Sequence, residues 1–211
     1  MIIRQFEVGH FSIFSYLIGD ETAQEGLLID PADGHDMLLG EAASHHLAIK
    51  YIVNTHCHID HVMGNKEMVR RTGAKIVLHE ADAAGLLRTP RDMLEMFGAE
   101  LSPPADILVS DGQILKLGSL EIRVIHTPGH TPGGMCLCLN GMVFTGDTLF
   151  VGSVGRTDFP GGSFQELEHS VRTKLYTLPG STIVLPGHNY GTTPTSTIER
   201  ERRSNDVIRA L

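Results

Sequence analysis

Five histidines and two aspartates carry the chemistry of this chain. Four of them crowd into the stretch "NTHCHIDHVMGN", which runs from Asn54 to Asn65: His56, His58, Asp60 and His61. The other three stand alone: His130 in "TPGHTPGG", Asp147 in "GDTLF" and His188 in "GHNYG". Imidazole and carboxylate are the usual protein ligands of zinc, iron and manganese. His56 and His58 alternate, so an extended backbone aims both the same way. Asp60 and His61 then face a second position. One ion takes about four to six ligands including water, so seven groups suggest two divalent ions. The partition read from the spacing puts His56, His58 and His130 on the first metal. Asp60, His61 and His188 take the second, and Asp147 bridges. Zinc, iron and manganese all suit such a donor set.

The elements that must hold these groups follow a simple rule. "KYIVN", "LEIRVIH", "GMVFTG" and "STIVLPG" read as apolar strands, and each ends at a ligand presented by a turn of small residues. Strand ends anchored in a sheet fix geometry well. Further strands are predicted at "IIRQFEV", "SIFSYLIG", "GLLID", "AKIVLH", "QILKL" and "GMCLCLN". Helices are predicted at "DMLLGEAASHHLA", "HVMGNKEMVRRTG" closed by Gly73, "SFQELEHSVRTKLYTL" and the tail "TSTIERERRSNDVIRAL". The segment Leu87 to Asp111, with its prolines and "DMLEMFG", reads as an insertion or lid between two halves. Strands, helices, more strands and more helices suit an α/β sandwich of two sheets flanked outside by helices, better than a doubly wound parallel sheet. No G-x-G-x-x-G or Walker A loop is present.

Composition narrows the function classes. At 211 residues the chain is long enough for one large domain or two small ones sharing an interface, and one domain spanning 1–211 is the expectation. A net charge of −8 with no Lys/Arg run argues against a nucleic-acid partner. No apolar run has the length of a membrane span or the form of a signal peptide, so no membrane partner and a cytoplasmic location are expected. Three cysteines are too few and too odd a number for a disulfide framework. Cys136 and Cys138 share one face of an apolar strand and read as core packing. Cys57 points away from its neighbouring ligands and reads the same way. His10, His35, His45, His46, His79, His126 and His169 have no paired ligand spacing.

The whole pattern resembles the metallo-β-lactamase superfamily, whose T-H-x-H-x-D-H signature stands here as Thr55 to His61. The resemblance spans "LLIDP" to "PGHNYG" and implies that family's αββα sandwich of two mixed sheets. Asp30 of "LLIDP" is then expected behind the ligands, orienting the metal loop, with a turn-capping role before Pro31 as the plainer reading. Thr55 is placed with it. Two cations about 3.5–4 Å apart can hold a bridging hydroxide and polarise a carbonyl. Asp60 and Asp147 are the carboxylates expected to serve catalysis as well as binding.

Within the superfamily, "GDTLFVGSVGRTDFPGGS" and "HTPGHTPGG" resemble short bacterial, glyoxalase II-like hydroxyacylglutathione hydrolases. That implies thioester cleavage of a small molecule such as S-lactoylglutathione to a hydroxy acid and a thiol. Where this likeness implies a lysine and a tyrosine, the chain has Arg156 and Asp158. Arg156 is the candidate for an anionic substrate; an ion pair with Asp158 is its structural alternative. A second likeness is to persulfide dioxygenases, which share Thr-His-Cys-His-x-Asp-His and the "GRTDF" of Gly155 to Phe159. It implies one Fe(II) held by His56, His130 and Asp147 alone, a facial triad with open positions for oxygen and substrate. The thioester hydrolase is the leading expectation and the dioxygenase its alternative. Lactone or ester hydrolysis and an inactive metal-binding scaffold stand behind both. Oligomeric state is not readable.

Overall fold

A computed structural model describes residues 1–209 of the chain. The first six strands make one sheet in sequence order: β1 (Ile2–Val8), β2 (Ile13–Asp20), β3 (Glu25–Ile29), β4 (Ala48–Val53), β5 (Lys75–His79) and β6 (Ile107–Val109). β1 to β3 are an antiparallel meander, while β3 to β6 run parallel. The second sheet holds β7 (Ile114–Leu117), β8 (Leu120–His126), β9 (Met135–Leu139), β10 (Met142–Gly146), β11 (Ile183–Pro186) and β12 (Ser196–Thr197), again in sequence order. β10 and β11 pair in parallel, and the other neighbours pair antiparallel. The expected sandwich of two mixed sheets flanked by helices is the architecture found.

The strands read as nearly unbroken apolar runs because both faces are covered. Tyr16, Ile18, Leu27, Val53 and Val77 of the first sheet meet Val124, Leu137, Phe144 and Leu185 of the second in the central layer. Their chain neighbours Leu17, Leu28, Ile52 and Ile76 face outward under α1 (His35–Ser44) and a later helix. Cys136 and Cys138 likewise pack outward, among Val143, Val171, Leu175 and Ile198. The packing role expected for both thiols is what the structure shows.

The helix predicted at "HVMGNKEMVRRTG" is two pieces, α2 (Ile59–Val62) and α3 (Asn65–Thr72). The break falls at Gly64, where an added Cβ would lie 2.0 Å from the Pro31 carbonyl oxygen. The chain is pinned there against the β3 turn. Gly73 closes α3 as expected, at φ +68. After β5 come a 3₁₀ turn, Glu80–Asp82, and α4 (Ala83–Leu86). The supposed insertion is partly fold: it holds α5 (Arg91–Phe97), which buries no residue, and then β6, the edge strand of the first sheet. The "SFQELEHSVRTKLYTL" helix is α6 (Phe164–Ser170) followed by a π-helical turn, Val171–Leu175. Ser163 caps it by accepting from the Glu166 backbone N–H at 3.3 Å. The tail helix is α7 (Ile198–Ser204), and the end of the predicted stretch lies outside the described residues. Among the described residues no helix is long and apolar enough to cross a membrane.

Candidate metal centre

Both sheets deliver ligands to one edge of the sandwich. β4 and α2 supply His56, His58, Asp60 and His61. The turns after β8, β10 and β11 supply His130, Asp147 and His188. His56, His61, His130 and His188 are buried, and Asp60 keeps partial access to solvent.

Four of the five imidazoles are oriented by a hydrogen bond through the far nitrogen. His130 Nδ1 donates to the Arg156 carbonyl at 2.6 Å, and His188 Nδ1 donates to the Phe11 carbonyl at 2.8 Å. His61 Nδ1 donates to Asp30 Oδ2 at 2.9 Å. Thr55 Oγ1 gives its proton to Asp30 Oδ2 at 2.6 Å, so it accepts from His56 Nδ1 at 3.1 Å. Those four rings are left with Nε2 facing inward, the tautomer a metal ligand needs. His58 faces inward with Nδ1 instead.

The inward atoms converge closely. His130 Nε2 lies 2.8 Å from His58 Nδ1 and 3.2 Å from His56 Nε2. His61 Nε2 and His188 Nε2 are 3.1 Å apart. Asp147 stands between the two groups: Oδ2 is 3.5 Å from His130 Nε2 and 3.4 Å from His188 Nε2, and Oδ1 is 3.3 Å from His61 Nε2. Asp60 Oδ2 is 3.6 Å from His188 Nε2. Three sets lie within 4.8 Å: His56, His58 and His130; His56, His61 and Asp147; Asp60, His61 and His188. All seven ligand-type residues therefore come together.

These residues fit a bound cation. Asp147 Oδ1 is buried and accepts no hydrogen bond, a costly state for a carboxylate oxygen unless a cation completes it. Burial, reinforced by His61 and His130, pushes the His56 ring well below the usual histidine range. Burial and His130 bring His58 down to about 4. Both are neutral donors at neutral pH. Burial opposes the charge on His61, yet Asp147, Asp60 and Asp30 outweigh it and raise its pKa well above normal. The Asp147 carboxyl resists burial in the same way: His61 and His188 hold it well below its ordinary range.

Asp30 sits behind the ligands. It is buried, adopts φ 45, and accepts from the Thr55 N–H at 2.8 Å besides Thr55 Oγ1 and His61. Arg156 lies at the rim. Its guanidinium is held bidentately by Asp158 at 2.7 and 2.6 Å and lies 4.2 Å over the Phe159 ring. The ion pair weighed as the alternative for this arginine is present. Cys57 packs against Val62, Leu78 and Leu86, and burial with Asp82 nearby raises its thiol far above the reactive range.

Several contributors stand outside the ligand motifs. Phe159 meets the His58 ring edge-on with centroids 5.1 Å apart, and Tyr190 stacks on His188 at 4.5 Å. Phe11 supplies its carbonyl to His188 while its ring stacks on Phe97 of α5 at 4.9 Å. Asp82 ties two ligand loops together.

Fold and ligand set together define the family. The model of the metallo-beta-lactamase superfamily matches residues 8–188, and the chain belongs to that superfamily. The human mitochondrial persulfide dioxygenase ETHE1 is 35% identical over 212 residues, covering 97% of this chain and 75% of that protein. The crystal structure of ETHE1 from Myxococcus xanthus is 34% identical, with TM-score 0.84 over 97% of this chain and 83% of that one. TTHA1623, solved in a di-iron-bound form, is 32% identical, with TM-score 0.82 over 96% of this chain and 98% of that one.

These relatives correct the expected activity. A glyoxalase II-like thioester hydrolase, and with it the binuclear hydrolase as enzyme class, gives way to the persulfide dioxygenases that match along nearly the whole chain. The error has a physical cause. Histidine and aspartate at these positions serve hydrolysis and oxidation alike, so the ligand set alone does not distinguish the reactions. What stands is a metal-binding site on this fold.

Proposed function

We propose that this chain, acting as one domain, is an Fe(II)-dependent persulfide dioxygenase. The observation that carries the reading is its 35% identity to a persulfide dioxygenase across 97% of its length. The site agrees with it. His56, His130 and Asp147 offer two imidazoles and one carboxylate, a combination suited to a single ferrous ion with open positions. Iron bound there supplies the reaction with dioxygen that no side chain here can perform. The overall change is RSSH + O2 + H2O → RSH + H2SO3: the outer sulfur is oxidised, the S–S bond breaks and the thiol leaves.

The chain's own residues have separable tasks in this reading. Thr55 and the Arg156 carbonyl hold the His56 and His130 rings in position. Asp147 contributes the negative charge that offsets a dication. Asp60, His61 and His188 flank the triad as a cluster that can hold and pass protons, with His61 the group most inclined to carry one. Phe159 lies against the His58 ring and Tyr190 against the His188 ring. Arg156 stays the candidate for an anionic small-molecule persulfide; its Nη1 takes no part in the pair with Asp158. A net charge of −8 favours neither nucleic acid nor an anionic membrane as partner.

The test is oxygen uptake by iron-loaded protein given glutathione persulfide. Consumption of one O2 per persulfide, with sulfite formed, is expected. No uptake by protein carrying iron would overturn the reading.

A further inference from the structure

Asp82 ends the 3₁₀ turn that follows β5, and its side chain is buried. It is satisfied by three donors. Oδ2 accepts from the Cys57 N–H at 2.9 Å and from Thr131 Oγ1 at 2.8 Å, and Oδ1 accepts from the Gly133 N–H at 2.6 Å.

The identity of those donors matters more than their number. Cys57 lies between His56 and His58 in the loop leaving the first sheet. Thr131 follows His130 in the loop leaving β8 of the second sheet. One carboxylate thus joins the two loops whose ligands stand 2.8 and 3.2 Å apart at the centre. The approach is close because position 133 is glycine: an added Cβ would lie 2.5 Å from the Asp82 backbone nitrogen. Its partners are 25, 49 and 51 residues away in sequence, so Asp82 has no local duty comparable to these contacts. Hydrogen bonds to a buried carboxylate are short, directional and resistant to stretching.

We propose that Asp82 is a positioning residue that sets the spacing between the His56–His58 pair and His130, and thereby the site's grip on its metal. It touches neither metal nor substrate. The proposal rests on these histidines being metal ligands, not on which reaction the metal serves.

The test measures metal binding by the full chain, without substrate. Asp82→Asn keeps the size of the side chain but sets an amide N–H against donors. Its affinity for Fe(II) in chelator competition is expected to fall roughly 10- to 100-fold, the usual effect of losing a group that orients ligands. The visible absorption of the Co(II)-substituted protein should change in position or intensity. Glu201→Gln is the control, because Glu201 is a buried carboxylate that binds Gly152, Ser196 and Asn205, none of them a ligand. It should lower Tm while leaving Fe(II) affinity within about twofold. Should Asp82→Asn not fold, Thr131 supplies the same test: Thr131→Ser keeps the hydroxyl and should bind like the parent, whereas Thr131→Val should bind several-fold more weakly. Parent-like affinity and cobalt spectrum in Asp82→Asn would overturn the proposal. So would equal affinities of the two Thr131 variants.

Discussion

His61 Nδ1 and Asp30 Oδ2 meet at 2.9 Å in a place that solvent does not reach. The same carboxylate takes both the N–H and the hydroxyl of Thr55, so it orients His61 directly and His56 through Thr55. Asp30→Ala would leave those buried donors without an acceptor. Stability is expected to drop by about 3–5 kcal/mol, read as a lower urea midpoint for the metal-free protein, and bound iron should fall with it. Asp30→Asn tolerates the positive φ and should lie between the two.

Metal stoichiometry separates the facial triad from a two-ion centre. His56→Ala, His130→Ala and Asp147→Ala should each lose bound iron and nearly all oxygen uptake. Asp60→Ala and His188→Ala should retain about one iron per chain. Colorimetric iron per protein decides it. Two irons in the parent, halved by His188→Ala, would point to paired ions instead.

Gly155 is packed too tightly for any side chain. A Cβ there would stand 1.9 Å from the Asp147 carbonyl oxygen and 3.2 Å from His130 Nδ1. Gly155→Ala must therefore displace the strand-end loop bearing Asp147 or the His130 ring. A loss of about 1–3 kcal/mol or more is expected, together with weaker iron binding. A crystal structure of the variant with both ligands unmoved would refute the expectation.

Acid sensitivity should have a source outside the metal site. His79 is buried and its ring stacks on His126 with centroids 3.9 Å apart. Burial, then the His126 charge, lowers its pKa below the usual value, against the opposing pull of Glu80, Asp82 and Asp111. As pH falls below about 6.5, the unfolded chain takes up a proton that the folded chain resists, so folding weakens. This contribution is at most about 1.4 kcal/mol per pH unit. His79→Phe should show a smaller loss of unfolding free energy between pH 7.5 and 5 than the parent, both measured metal-free.

The ligand residues were readable because their signals are local. An apolar strand followed by small residues and a histidine or aspartate needs only a few positions to recognise. The two-layer architecture was also legible, since strands buried on both faces leave long apolar runs. Pairing was not: nothing in "GLLID", "KYIVN" or "KIVLH" says that they run parallel and adjacent. The break at Gly64 was hidden because its cause, the Pro31 carbonyl, is remote in sequence. Asp82 was invisible for the same reason. The reaction was not legible from the ligands because one ligand set fits two chemistries; the "GRTDF" of Gly155 to Phe159 carried a likeness to the dioxygenases, set beside the hydrolase-like "GDTLFVGSVGRTDFPGGS" in which it lies.

Each sheet is built from an unbroken stretch of sequence, residues 2–109 for one and 114–197 for the other. The first stretch brings His56, His58, Asp60 and His61; the second brings His130, Asp147 and His188. A cation seated among them is thus a clasp between two halves that could each be synthesised as a separate polypeptide. Severed in the short turn between β6 and β7, the halves would regain a complete coordination sphere only on docking, which makes metal capture a direct reporter of their reunion.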